Sequence, residues 1–418
     1  MKSYKTKKVT KINDKTLIAT LDIGKTVQHG YFRAPNGNDI EPFAFYNSKK
    51  SYNTFWTKLC RFKKQQRLED IVIGFESTGP YAEPLFHFLR QKPLRLVQVN
   101  PVHTKRVKEL TDNSPNKTDK KDPRVIADVI CLGHALTLIV PQGPAAELRR
   151  LSQARERAIT DRTAMINQLE HLMYVIFPEF LTVLKISTKT ARHFIKHFTT
   201  PENIFALGLE SVSQKIKTVS RGKLGKDRAK QLYAAARDSI GIAEGKQSIV
   251  FEIEHLVRKI EAEDQFIDNL QQQVHVYLQQ IPYSQNILSI RGLGEVTVAG
   301  LIGEVADFSK FDTISEVMKL AGLDLYEISS GKHRGQRRIS KRGRPLMRKL
   351  LFYAAINAVK SKGIMHQKYH QMLDRGMLKM KALIAISRKL LAIIFAIVRD
   401  NSNYVKDYSD NHHYKLAA

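Results

Sequence analysis

Between Ile249 and Ile281 the apolar residues return at alternating steps of four and three: Ile249, Ile253, Leu256, Ile260, Ile267, Leu270, Val274, Tyr277 and Ile281. Glu263 is the one polar residue on this seam. A seam of that spacing closes only along one side of an α-helix, and a helix of about 50 Å with an apolar stripe must find a partner along its length. Residues 145–177 offer one, since Leu151, Ala158, Met165 and Leu172 recur every seven residues among charges. The two stretches predict a pair of long helices. Periodicity leaves open whether they form an antiparallel coiled coil, a dimerisation arm or an ordinary helical-bundle core. Between them, residues 180–245 read as a small helical insertion with the basic turn SRGKLGKDR.

The stretch before this pair has a different period. TLIATLDIG, HGYFRA and EPFAFY are short strands separated by turn residues such as Pro35, Asn36 and Gly37, which predicts a meander. A helix-like segment from Ser51 to Gln66 follows, then the apolar strand DIVIGF, a helix near Glu83 to Arg90 and the strand LRLVQV. A meander followed by alternating helix and strand predicts an α/β layer with a mixed sheet. Phe55, Trp56 and Phe62, adjacent or at helical spacing, are expected in its core, as are Cys60 and Cys131.

Lys and Arg number 68 against 40 Asp and Glu, a net charge of +28 on a chain of 418 residues that is 43% hydrophobic. Disorder is excluded by that apolar content, and a compact body so charged is relieved by a polyanionic partner. Nucleic acid is the expected one; a basic ribosomal or membrane-surface protein has no need of a folded acidic constellation. Two distant cysteines exclude a disulfide framework or zinc ribbon and fit a reducing cytosol. MKSYKTKKVTKINDK has no apolar stretch with a cleavage site, so no export signal is expected. Ala382 to Val398 is apolar but interrupted by Arg388 and Lys389, which predicts a buried C-terminal helix and no membrane span.

The acidic constellation lies in the strand-rich region. Asp22 follows the strand LIATL, Glu76 ends IVIGF, and Asp119 and Asp122 stand in NKTDKKDPRVIAD at the start of a helix. Carboxylates at the ends of separate strands and one helix can converge on a cleft, where hard oxygens hold a divalent metal, Mg²⁺ or Mn²⁺, at a phosphate. Singly, each has a structural reading: Asp22 a strand end beside Gly24, Asp122 a helix N-cap before Pro123. Their joint placement on an otherwise basic chain favours the metal centre.

From Ile287 onward the chain reads as a third, helical and basic unit. In ILSIRGLGEVTVAGLIGEV, Gly292 and Gly294 flank Leu293 between two apolar helical segments, the pattern of a helix-hairpin-helix whose backbone approaches phosphate, or of a plain helix-helix turn. Lys332, Arg334, Arg337, Arg338, Lys341, Arg342, Arg344 and Arg348 then form the densest charge in the chain, with no acidic residue from Gly331 up to Asp374. Guanidinium forks bind phosphate oxygens, so this is a nucleic-acid-binding run. Just ahead stand Ser329 and Ser330, the latter before Gly331. On the residues alone this serine is either a turn residue or a nucleophile for a DNA phosphate. His366 and His370 have i, i+4 spacing without a third ligand, which favours a surface or core role.

LDIGK, FESTGPY and KTDKKDPRVIAD, followed by the long-helix stretch, RGLGEVTVAGLIGEV and AGLDLYEISSGKHRGQRRISKRGRPLMRKLLFYAA, together resemble the DEDD transposases of the one-ten insertion-sequence family, the bridge-RNA-guided recombinases. The resemblance implies an RNase-H-like (RuvC-like) N-terminal domain over residues 1–144, with Asp22, Glu76, Asp119 and Asp122 as metal ligands. It implies a coiled-coil helical middle over 145–284, a helical C-terminal serine transposase domain with helix-hairpin-helix over 285–405, and a tail over 406–418. Ser330 is then the nucleophile, in a site shared between protomers of a homodimer or homotetramer. The implied partners are donor and target DNA and a structured noncoding guide RNA, in the cytoplasm of a prokaryote near the nucleoid. Pro123 after the last aspartate and Ser329 beside Ser330 depart from the expected pattern. Two other readings compete: a metal-dependent RuvC-like nuclease such as a junction resolvase, in which water attacks, and a non-catalytic binding protein.

Overall fold

The computed structural model of the protein describes residues 12–76, 79–112, 121–328 and 335–405, and the chain divides into two compact units between Ile139 and Val140. In the first unit β1 (Thr16–Ile23), β2 (Val27–Arg33) and β3 (Ile40–Tyr46) form the antiparallel meander that the turn signals predict. Then come α1 (Lys49–Gln65), β4 (Asp70–Glu76), α2 (Glu83–Leu89), β5 (Arg95–Val99), α3 (Pro101–Asp112), α4 (Lys121–Cys131) and β6 (Ala135–Thr137). The sheet runs β3-β2-β1-β4-β5-β6, with β1, β4 and β5 parallel and both edges antiparallel, the mixed α/β layer expected.

Alternation assigns the two faces. Leu17, Ala19, Leu21 and Ile23 of β1 join Ile71, Ile73 and Phe75 of β4 beneath α1 and α2, which contribute Tyr52, Phe55, Leu59, Phe62, Leu85 and Leu89. Ile18, Tyr31, Val72 and Val99 take the opposite face against Ile126, Ala127, Val129 and Ile130 of α4. Gly74 allows that close approach: a Cβ there would lie 2.1 Å from Ile130 Cδ1. Thr20 Oγ1 donates to the Pro123 carbonyl at 2.6 Å, and Arg33 pairs with Asp128 at 2.5 Å, so α4 is tied to β1 and β2 along its length. Beside Arg33, burial and the Asp39 acceptor push the Tyr31 phenol up to about 12. Trp56 packs half-buried on the α1 core, as its spacing suggests. The cysteines are a correction: Cys60 is half-buried and Cys131 exposed. Cys131 is the last residue of α4, about 100° round the helix from buried Ile130 and just past Ala127 at the edge of the stripe that faces the sheet.

The second unit is helical. α5 (Gly143–Ile176) leads through the short helices α6 (Phe180–Val183), α7 (Lys189–His197), α8 (Pro201–Ala206), α9 (Gly208–Val219) and α10 (Lys226–Arg237) to α11 (Lys246–Leu278). Contacts from Arg162 to Asp264 and from Gln168 to Glu252 show that α5 and α11 run antiparallel, and the seam residues Ile253, Leu256, Ile260, Leu270 and Val274 are buried. The seam is thus covered within the chain and needs no second copy for its burial. One core joins the adjacent ends of this pair to α6–α10. The other joins the opposite ends to α12 (Ser284–Leu288), α13 (Glu295–Val305), α14 (Ile314–Ala321), α15 (Pro345–Ala358), α16 (His366–Asp374) and α17 (Lys379–Arg399). Ala382, Ile386, Leu390, Leu391 and Ile394 of α17 are buried, in keeping with the expected C-terminal core helix, and no described helix is long and apolar enough to cross a membrane. One departure from an all-helical reading is the hairpin β7 (Leu325–Tyr326) and β8 (Arg338–Ile339), set within the last core's connections.

Two contacts fix the helical unit. Gly303 lies so near α5 that a Cβ would sit 2.6 Å from Arg149 Cα. Gly303→Ala is expected to force the helices apart and cost about 1–3 kcal/mol, read as a fall in the melting temperature followed by circular dichroism. Asp264 on α11 meets both Arg162 of α5 and Arg192 of α7, whose side chain is 5% exposed. Asp264→Ala strands a buried guanidinium; the expected loss, about 2 kcal/mol, is below the usual range for a broken buried pair because Asp264 keeps a quarter of its side chain in water. Urea unfolding checks it, and an unchanged midpoint would sink the argument.

Candidate active site

The strand order reverses direction at β1: the chain goes outward through β2 and β3, then resumes on the other side with β4 and β5. In such sheets the carboxyl ends of the strands beside the reversal form a crevice open to ligands. Leu21 pairs with Phe75 across β1 and β4, and one residue further along each strand come Asp22 and Glu76. Both follow the even-numbered alternation that faces α4. Asp22 is in register with His29 on β2, and Glu76 with Val99 on β5, so one row across the sheet reads His29, Asp22, Glu76, Val99. Adjacent strands are about 4.8 Å apart, which places the backbones of Asp22 and Glu76 as neighbours.

The third element is α4. Thr20, two residues before Asp22, holds the Pro123 carbonyl, so the helix begins over the strand ends, with Asp122 in its first turn. α3 supplies the remaining contacts from one helical face: Thr104 Oγ1 donates to Glu76 Oε2 at 3.3 Å, and Lys108 Nζ reaches Asp122 Oδ1 at 2.5 Å. Lys108 and Asp122 side chains are only 14% and 17% exposed. Thr104, Lys108 and His29 were missed in the sequence. His29 was visible as an even step of strand alternation; the α3 pair, four residues apart, meets Glu76 and Asp122 only through tertiary placement.

Hard carboxylate oxygens on two adjacent strands suit a divalent cation in kind. Among the described residues no three His, Cys, Asp or Glu side chains converge as a metal-ligand group. Asp119, the fourth carboxylate expected here, lies outside the described residues, and the Asp122 carboxylate is engaged by Lys108. Asp22 and Glu76 are therefore the pair that geometry brings together.

In the second unit β7 and β8 pair Leu325 with Ile339 and Tyr326 with Arg338, and the Arg337 to Glu327 ion pair at 3.0 Å extends the ladder. This hairpin brackets the serine segment; Ser329, Ser330, Lys332 and Arg334 themselves lie outside the described residues. The basic run after it divides. Arg338, Lys341 and Arg342 are exposed. Arg344 turns inward to Glu304 at 3.3 Å, its guanidinium pushed down by burial and by Arg149 against the pull of Glu304. Arg348 donates to the Ala321 carbonyl at 3.0 Å, at the C-terminal end of α14, where a cation complements the helix dipole. Gly292 has φ +99° in the turn before α13, and Gly294 caps that helix; Glu295, the first residue of α13, already places a carboxylate at the same end and accepts from His275 at 2.8 Å. His366 and His370 on α16 lie with ring centroids 4.4 Å apart, tilted by 58°, and His366 Nδ1 donates to the Val359 carbonyl at 2.9 Å.

Comparison with known proteins gives this geometry a context. The family model DEDD_Tnp_IS110, described as a transposase, matches residues 19–178, and that of the transposase IS116/IS110/IS902 family matches residues 284–371. The chain is 20% identical over 388 residues to the 43.6 kDa protein of insertion element IS110 from Streptomyces coelicolor, covering 92% of this chain and 94% of that one. To the 44.8 kDa protein of insertion element IS116 from Streptomyces clavuligerus it is 24% identical, covering 68% and 71%. A pilin gene-inverting protein of Moraxella bovis is 30% identical over 122 residues, 29% of this chain and 38% of that protein. The two matched regions contain the carboxylate row and the basic hairpin unit respectively, and the chain belongs to the IS110 family of transposases.

Proposed function

We propose that this transposase cuts and rejoins DNA with two groups: the carboxylates Asp22, Glu76, Asp119 and Asp122, and the serine hydroxyl of Ser330. The observation that carries the reading is the row at the β1–β4 reversal, where Asp22 and Glu76 share the face capped by the Asp122 end of α4. A divalent metal, Mg²⁺ or Mn²⁺, bound by these carboxylates supplies charge neutralisation at a DNA phosphate. Thr104 orients Glu76 by its hydrogen bond, and Lys108 keeps positive charge beside Asp122.

The chemistry is a pair of transesterifications. The Ser330 oxygen forms a bond to phosphorus as the bond to one deoxyribose oxygen breaks; the hydroxyl proton leaves to solvent or base, and the released deoxyribose oxygen takes one up. A second deoxyribose hydroxyl then attacks the phosphoserine and returns the serine. Phosphodiester bonds are conserved, so joining needs no external energy source. Exposed Arg338, Lys341 and Arg342, with Arg337, Lys332 and Arg334, hold backbone phosphates near the serine, and the Gly292–Gly294 turn adds backbone donors. Arg344 and Arg348 act from within, fixing the segment. We further assign a guide RNA as the sequence-reading partner and a homodimer or homotetramer as the working assembly, the support being the family membership and a charge of +28 that exceeds what one DNA contact needs.

Asp22→Asn and Glu76→Gln are each expected to lower strand cleavage by at least about 100-fold, because loss of a ligand exceeds loss of a supporting hydrogen bond. Ser330→Ala is expected to abolish the covalent protein–DNA adduct seen after denaturation. Hydrolysed ends with no adduct in the wild-type protein would transfer the reading to a metal-dependent nuclease. Lys108→Met removes a positive charge at the carboxylates and is expected to tighten Mn²⁺ binding by about tenfold in calorimetry; weaker Mn²⁺ binding would show that Lys108 helps to build the site.

A further inference from the structure

The 17 residues of α1 include Lys49, Lys50, Lys58, Arg61, Lys63 and Lys64 and no acidic residue. Its inner face is fixed by Tyr52, Phe55, Leu59 and Phe62. On the outer face Lys50, Thr54, Thr57, Arg61 and Lys64 step by fours and threes, with Asn53 beside them, and all are exposed. From Lys50 to Lys64 the stripe is about 21 Å long. Several other cations of this unit are matched: Lys15 with Glu69, Arg33 with Asp128, Lys108 with Asp122, Arg124 with Glu41. Among the described residues no carboxylate pairs with Lys50, Arg61 or Lys64. Lys58 is the exception on this helix, drawn over the Phe43 ring at 3.4 Å.

The stripe floors a shallow groove of about 800 Å³. A second, of about 480 Å³, shares Lys49 with it and reaches Lys25 and Tyr81. Lys25 lies three residues past Asp22, and Tyr81 five past Glu76, so the path ends at the strand ends that carry the carboxylates. The stripe itself offers ammonium, guanidinium, hydroxyl and amide groups but no aromatic ring on which a base could stack. That inventory suits a phosphate backbone and does not read bases.

We propose that the outer face of α1 is a docking track for the backbone of the DNA strand served by Asp22 and Glu76, leading through Lys49 and Lys25 to the reacting phosphate. This rests on the transposase reading above. DNA is the occupant because the path terminates at the DNA-cutting carboxylates, and contact is independent of sequence.

The test uses the full chain, wild type and a Lys50→Gln, Arg61→Gln, Lys64→Gln variant, titrated with single-stranded DNA, duplex DNA and RNA of one sequence over a salt series. Acetylation of Lys49, Lys50 and Lys64 is read in parallel by mass spectrometry. DNA is expected to protect these lysines in the wild type. In the variant the slope of log affinity against log salt should fall by about two to three, with a loss in DNA affinity of about tenfold or more. If the triple variant melts lower than wild type, Arg61→Gln alone serves, with a slope change of about one. An unchanged slope, or protection by RNA and none by DNA, overturns the proposal. Asp22→Asn keeps the two readings apart: it should lose cleavage and leave lysine protection intact, whereas cleavage retained in Asp22→Asn would overturn the catalytic assignment and the link from the track to these carboxylates, with DNA contact on α1 still judged by protection and salt slope.

Discussion

The parallel pairing of β1 with β4 is the constraint on which the first unit depends. Side chains alternate with a period of two, so the register that sets Leu17 beside Ile71 and Leu21 beside Phe75 also sets Asp22 and Glu76 on the opposite face. A slip of one residue in β4 would put Glu76 among the phenylalanines under α1 and α2, and bring Phe75 beside Asp22. Burial of Leu17, Ala19, Leu21, Ile71, Ile73 and Phe75 therefore fixes the carboxylate row far more strongly than the carboxylates could fix themselves. The same register positions α4, since Gly74 leaves the space that Ile130 fills and Thr20 grips Pro123.

A comparable division governs the basic charge of the second unit. Arg192 and Arg344 are withdrawn into the fold and met there by Asp264 and Glu304, while Arg348 closes the end of α14. A guanidinium can be taken inside because its fork is satisfied by few well-placed acceptors and it stays charged. These residues cannot also serve a phosphate without giving up those acceptors. The charge available to nucleic acid is thus smaller than the composition suggests, and it includes two stretches on which no carboxylate is spent among the described residues: Arg338 to Arg342 after the hairpin turn, and the outer face of α1.

What was legible in the sequence followed from short-range periodicity. The meander, β4 and β5, the two long helices and the buried α17 all repeat an apolar spacing that one face must satisfy, and the strand ends carrying Asp22 and Glu76 come with them. β6 and the β7–β8 hairpin escaped because strands of three and two residues are too short to show alternation. Cys131 was misplaced in the core because an apolar neighbourhood in sequence says nothing about which side of a helix a residue takes. Arg344 looked like the rest of its basic run; only α13 bringing Glu304 opposite it makes it internal. Thr104 and Lys108 likewise acquire partners from β4 and α4, 28 and 14 residues away. No local pattern encodes those meetings.

On the proposed reading, the topology also lets one small sheet serve a reacting phosphate and a longer stretch of backbone at once. At the β1–β4 reversal the chain leaves in opposite directions on the two sides, the arrangement that places a crevice at the carboxyl ends of the strands in such sheets. Asp22 and Glu76 occupy the α4 face of that opening, and Lys25 and Tyr81 continue from the same strands toward α1 on the other face. A polyanion crossing the edge of the sheet meets cations on α1 and acids at the row. On that reading, the α1 cations would hold it without regard to sequence, and the acids would accept its phosphate only with a divalent cation bound. Binding and chemistry would then, on the proposed reading, be separately controlled, salt weakening the first and metal removal the second, because the α1 stripe and the carboxylate row lie on opposite faces of a sheet held together by the same register.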